Sequence, residues 1–273
     1  MKVKNILVPV DFSENSLNAL RYAGEFARTS GAGLFVLHVA DPEALVNEVK
    51  GNLSPEHLLS IVKKEDYLYG LRITTIMEKG SVSALVAAES KENNIDLVIM
   101  GTQGAGNLQR SLIGTHTTAV ISRSECMVLA VPSQVKFAPI RKVVLAIDME
   151  HRADHLIQDT INLFSKMEAA VLLVYVGSDE HHKQEHDLEL MTEEMKRSTG
   201  YNKIDCTVIH SHHFRESIEQ FSMDIDADAI AMITHHRNVF ESLFDPSQAK
   251  KMAYHMNTPL LAIPQKHKTT FFF

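Results

Sequence analysis

Three glycines and two threonines carry the strongest chemical signal in this 273-residue sequence. Gly101-Thr102-Gln103-Gly104 follows the apolar run Leu97-Val98-Ile99-Met100, and nine residues later Gly114-Thr115-His116-Thr117 opens a segment of helical character. Glycines let a backbone approach an anion closely and offer bare amides, and a helix amino terminus adds unpaired N–H groups and a positive dipole end. Thr115 and Thr117 add hydroxyl donors, and Thr115 also suits a helix cap. This is the chemistry of a phosphate site. Asp11 closes an apolar run, Asn5 to Pro9, where a carboxylate can accept from a base or ribose group. The bland readings stay open: the same glycines serve a ligand-free connection, and Asp11 alone suits a turn or helix cap.

The elements that must position these residues come in two copies. Lys4-Asn5-Ile6-Leu7-Val8-Pro9-Val10-Asp11 recurs as Lys142-Val143-Val144-Leu145-Ala146-Ile147-Asp148. Met127-Val128-Leu129-Ala130-Val131-Pro132 recurs as Pro259-Leu260-Leu261-Ala262-Ile263-Pro264, and Arg110-Ser111-Leu112-Ile113 echoes Glu241-Ser242-Leu243-Phe244. Anchors in one order at nearly one offset mean a duplicated unit, with domains at 1–137 and 138–273 joined around Ser133 to Ile140 near Pro139.

Within each copy, strands alternate with helical patterns, which predicts an α/β fold with a parallel sheet. In the first, strands are expected at 5–9, 34–39, 73–77, 97–100 and 127–131. Ser13 opens a helix with Leu17, Leu20, Ala23, Phe26 and Ala27 at helical spacing, and further helices are expected at about 55–69, 82–89 and 115–122. Strands of the second copy are expected at 143–147, 171–176, 204–209, 229–233 and 260–263. In an open parallel sheet, strands one and four flank the point where strand order reverses, so Asp11 and the glycine loop face one crevice.

Together these residues resemble a tandem universal stress protein over nearly the whole chain. Gly101, Gly104, Gly114 and Thr115 reproduce the spacing of that family's ATP-binding subgroup without gaps. The resemblance implies two Rossmann-like domains, similar to the adenine nucleotide alpha hydrolases, each with a five-stranded sheet ordered 3-2-1-4-5. It also implies pairing of two units through their fifth strands, here as an intramolecular pseudo-dimer or between chains of a homodimer. It assigns adenine contacts to Asp11 and to the Val39 backbone, and nucleotide lining to Pro9, Met100, Gly101, Gly104, Gly114, Thr115, His116 and Thr117. The implied ligand is ATP, or AMP or ADP, with or without Mg.

The second copy departs from this pattern. Of twelve glycines only Gly177 and Gly200 lie beyond Ser133; Thr234-His235-His236-Arg237 stands in place of the first two loop glycines, and Asp245-Pro246 replaces Gly114-Thr115. A carboxylate at a helix start repels phosphate, and proline removes an amide, so the second domain is expected to hold a degenerate site. Twelve of fifteen histidines lie beyond Ser133, among them His181, His182, His186, His210, His212, His213, His235 and His236. They raise metal binding or pH sensing as an alternative, although no spacing matches an established metal motif.

Composition narrows the classes further. A formal charge of −7 works against nucleic-acid binding, and it divides as −1 through Phe137 and −6 beyond. Two cysteines in apolar runs, Cys126 and Cys206, fit a reducing compartment, and no apolar stretch is long enough to span a bilayer. A cytoplasmic stress-response protein with a regulatory nucleotide site is the reading that follows, with a slow ATPase as the enzymatic alternative. No paired carboxylates, Ser-His or Cys-His arrangement stands beside the loop. The terminal Phe271-Phe272-Phe273 is apolar enough to seek a surface on its own domain or a partner.

Overall fold

The computed structural model describes residues 3–40, 54–102, 115–150, 152–177, 181–234 and 258–265. They belong to two compact units, one from Val3 to Phe137 and one from Ala138 onward. In the first unit the strands are β1 (Asn5–Val10), β2 (Gly33–Ala40), β3 (Ile73–Lys79), β4 (Leu97–Gly101) and β5 (Met127–Val131), in the order β3-β2-β1-β4-β5. In the second they are β6 (Lys142–Ala146), β7 (Ala170–Gly177), β8 (Ile204–His210), β9 (Ala229–Thr234) and β10 (Leu260–Pro264), ordered β8-β7-β6-β9-β10. Both are 3-2-1-4-5, and the strands pair in parallel, as in Asn5↔Gly33 and Val143↔Ala229.

Continuous apolar strands are explained by cover on both faces. Ile6, Leu7, Val8, Leu97, Val98 and Ile99 are fully buried, as are Val143, Val144 and Leu145. Each such side chain contributes roughly 1.5–3 kcal/mol of burial. Helix α1 (Glu14–Ser30) begins at Ser13, whose side chain accepts from the Ser16 amide, and ends at Gly31 with φ 71°, a left-handed cap that glycine adopts without strain. It buries Ala19, Leu20, Ala23, Phe26 and Ala27, with Leu17 only half-buried at the edge of the stripe.

The helix expected over 55–69 is shorter. Helix α2 covers Pro55–Val62, and the chain then turns into a single 3-10 turn at Asp66–Leu68. Packing explains the break: Leu68 is buried against α1 at Gly24, where an added Cβ would stand 2.9 Å from Leu68 Cδ2, and Arg28 Nη2 donates to the Tyr67 carbonyl at 2.7 Å. Helices α3 (Val82–Glu92) and α4 (Thr115–Arg123) complete the first unit, and α5 (Asp154–Ser165), α6 (His181–Thr199) and α7 (Phe214–Asp224) belong to the second.

Register between the first and fourth strands of each unit is pinned at their amino ends by one device. Asp96 Oδ2 accepts from the amides of Lys4 at 2.7 Å and Asn5 at 3.1 Å. Asp228 Oδ2 accepts from Arg141 and Lys142, both at 2.9 Å. Charge-assisted bonds of this kind are about twice as strong as neutral ones, so they hold the strand pair from the end opposite the crevice.

Candidate functional site

At the carboxyl end of β1 the chain makes a tight turn into α1. Asp11 Oδ1 accepts from the Ser13 amide at 3.0 Å and from Ser13 Oγ at 2.6 Å, while Ser13 caps the helix. Phe12 sits between them at φ 61°, a left-handed conformation that costs a bulky residue about 1–2 kcal/mol. Its ring packs against His38 at a centroid distance of 5.3 Å, and His38 Nδ1 lies 2.8 Å from the Val10 carbonyl. Because that oxygen only accepts, the proton is on Nδ1. The end of β2 thereby holds the turn that presents Asp11.

The crevice opens between β1 and β4. Their ladder consists of Ile6↔Leu97 and Leu7↔Val98. Two residues further Pro9 has no N–H to donate, so the strands pair at their amino ends and the ladder stops short of the carboxyl side. Gly101 closes β4 against the start of α1: a Cβ there would stand 3.0 Å from the Asn15 carbonyl oxygen, a crowded contact that the α1 backbone would have to shift to relieve. Buried Thr102 donates its amide to Val131 at 2.9 Å, and Thr117 Oγ1 in the first turn of α4 donates to the Gly101 carbonyl at 3.1 Å. The amino ends of α1 and α4 therefore meet the carboxyl ends of β1 and β4, the arrangement that suits an anion.

The second unit keeps the turn but not the opening. Asp148 Oδ1 accepts from the Glu150 amide at 2.9 Å, the bond Asp11 makes to Ser13. However, Ala146 occupies the place of Pro9, and the β6–β9 ladder runs from Val143↔Ala229 to Ala146↔Met232. The helix cap is Ala153, with no side-chain bond, and Arg152 pairs instead with Asp154 at 3.0 Å and Glu194 at 3.2 Å. At the level of His38 stands Tyr175, whose phenol is pushed up by burial and then by the charges of Glu150 and Asp148.

The sequence profile of the universal stress protein family matches this chain twice, over residues 2–132 and 139–264. The chain belongs to that family. A universal stress protein of Methanocaldococcus jannaschii is 30% identical over 143 residues, which cover 49% of this chain and 84% of the relative. One from Synechocystis is 28% identical over 134 residues, 47% of this chain and 85% of the relative. A solved universal stress protein from Archaeoglobus fulgidus matches with TM-score 0.73 over 97% of this chain and 100% of its own, at 20% identity, a likeness of fold. This universal stress protein is a tandem one, with each half carrying the family's α/β architecture.

Among the residues expected from sequence, Pro9, Asp11, Val39, Met100, Gly101, His116 and Thr117 lie in described segments. Pro9, Asp11 and Gly101 gather at the carboxyl ends of adjacent strands, and Val39 belongs to the same end of β2, in register with Glu78. Met100 is buried beside Ala130, so its side chain serves the core, and His116 is exposed on α4. Gly104, Gly114 and the side chain of Thr115 lie outside the described residues, as do His235, His236, Asp245, Pro246 and the Phe271–Phe273 tail. Sequence reasoning missed Phe12, Asn15 and His38. Only His38 left a trace, as a polar residue inside the apolar run of β2.

Among the described residues, no three His, Cys, Asp or Glu side chains gather as they would around a metal ion. His210 Nε2 instead stands 3.6 Å from Glu185 of α6. Among those residues, too, no helix is long and apolar enough to cross a membrane.

Proposed function

We propose that this universal stress protein binds an adenine nucleotide, ATP or a shorter relative, in the crevice of its first unit, and that occupancy is a regulatory signal in the cytoplasm. Asp11, oriented by Ser13, accepts from the adenine or ribose, and the Val39 backbone meets the base. The amides of Gly101, Gly104 and Gly114 and the hydroxyl of Thr115 take the phosphates, with the start of α4 supplying its dipole. Thr117, expected from sequence as a further hydroxyl donor, commits its one O–H to the Gly101 carbonyl and braces the cradle instead. The observation that carries this reading is the early end of the β1–β4 ladder under Pro9, at the switch point where ligands enter open parallel sheets.

The longer β6–β9 ladder, with Asp245-Pro246 at the corresponding helix start, supports a second unit that takes no nucleotide in this mode. The test is to denature freshly purified protein and identify the released nucleotide, comparing wild type with Gly114→Asp. An adenine nucleotide released by wild type and lost from the variant supports the proposal. Equal release by both places the ligand elsewhere, and no release together with no binding of added ATP or AMP ends it.

A further inference from the structure

In the second unit a groove of 740 Å³ runs between the carboxyl end of β8 and helix α7. Helices α3 and α7 are both eleven residues long and follow the third strand of their units. Set start to start, Leu85 of α3 corresponds to Ser217 of α7. Leu85 Cδ1 reaches to 3.7 Å from the Cβ position of Gly80, covering the end of β3. Ser217 lacks that isobutyl group and lines the groove, so the side chain that covers the end of β3 in the first unit has no counterpart here.

Its walls combine apolar and acidic surface with the polar side chains of His210, Ser211, His213, Ser217 and Gln220. Ile209, Phe221 and Met223 supply apolar surface, and Met223 is 40% exposed. Glu216, Glu219 and Asp224 line it with carboxylates. Arg215 offsets one of them, pairing with Glu219 at 3.0 Å with both side chains 15% exposed. Asp224 accepts from Gln220 Nε2 at 2.7 Å, a neutral donor that leaves its charge in place. Burial raises the Glu219 carboxyl despite Arg215, and the unpaired negative charge facing the groove is left to the exposed Glu216 and Asp224.

We propose that this groove is a second binding site, taking a small organic cation: an ammonium or guanidinium on an apolar stem. The volume lies within the range of roughly 300–1,000 Å³ that encloses small molecules. The stem lies on Ile209, Phe221 and Met223, and the cation lies in the joint field of Glu216 and Asp224, which stand about two helical turns apart on α7. The site is independent of the nucleotide crevice and stands or falls without it.

The experiment follows the Met223 methyl signal of full-length protein, labelled at methionine, during titration with phenylbutylamine, phenylbutanol and phenylbutyrate at low salt. Phenylbutylamine shifts Met223 saturably, the alcohol binds roughly fivefold or more weakly, and the carboxylate leaves it unmoved. The exposed double substitution Glu216→Gln, Asp224→Asn erases the preference for amine over alcohol, and Ser217→Leu abolishes binding of both. Equal binding of amine and alcohol by wild type, an unmoved Met223 signal with all three probes, or unchanged amine binding in either variant would overturn the proposal.

Discussion

Thr117 Oγ1 donates to the Gly101 carbonyl at 3.1 Å, tying the first turn of α4 to the last residue of β4 across the glycine loop. The two arms of the proposed phosphate cradle are thus joined by one half-buried bond. Thr117 is 1% exposed, so Thr117→Val leaves a carbonyl unsatisfied at a cost of about 1–2 kcal/mol. We expect that loss in urea denaturation, with ATP affinity reduced several-fold. Thr117→Ser, which keeps the donor, restores both.

Gly101 tests the other arm. A methyl at this position meets the Asn15 carbonyl oxygen at 3.0 Å, and backbone cannot swing aside as a side chain does. Gly101→Ala is expected to destabilise the first unit by about 1–3 kcal/mol. It also pushes β4 away from α1, so nucleotide affinity falls further than stability alone accounts for when binding is measured well below the melting temperature.

Pro9→Ala gives the first unit the residue that the second carries at Ala146. The new amide is expected to extend the β1–β4 ladder toward the Ala146↔Met232 pattern. Hydrogen exchange then shows a protected amide at position 9, and ATP binding weakens while urea stability changes by less than about 1 kcal/mol. An amide that exchanges freely there, with affinity intact, removes the link between ladder length and site.

Burial pushes the Cys126 thiol up to about 11, above the roughly 8.5 of an exposed cysteine. Between those values the folded chain holds a proton that the unfolded chain has released. Stability is therefore lost as pH rises through that window, by on the order of 3 kcal/mol. Denaturation midpoints measured from pH 8 to 11 should fall for wild type and fall less for Cys126→Ala. At pH 8 a thiol reagent labels half-buried Cys206 well before Cys126.

Much of the fold was legible because its signals are local. Apolar runs such as Leu97–Met100 mark strands buried on both faces, the Ser13 cap and Gly31 bracket α1, and the repeat fixes a shared topology. What escaped depends on distant partners. Asp96 bonds Lys4 across 92 positions and Asp228 bonds Arg141 across 87, and neither acid looks unusual in sequence. The helix expected to run to Tyr69 stops at Val62 because Leu68 must reach Gly24 of another helix. At the site, Asp11 and Gly101 could be named from their spacing. That Asp11 turns back onto Ser13, and that Gly101 is small because Asn15 lies against it, are facts of packing.

The asymmetry between the two crevices is tested most directly by the stoichiometry of ATP binding to the full chain in equilibrium titration, with wild type and Gly114→Asp side by side. One nucleotide per chain for wild type and none for the variant is the result expected. Two equivalent sites per chain, or a single site indifferent to Gly114→Asp, would contradict it.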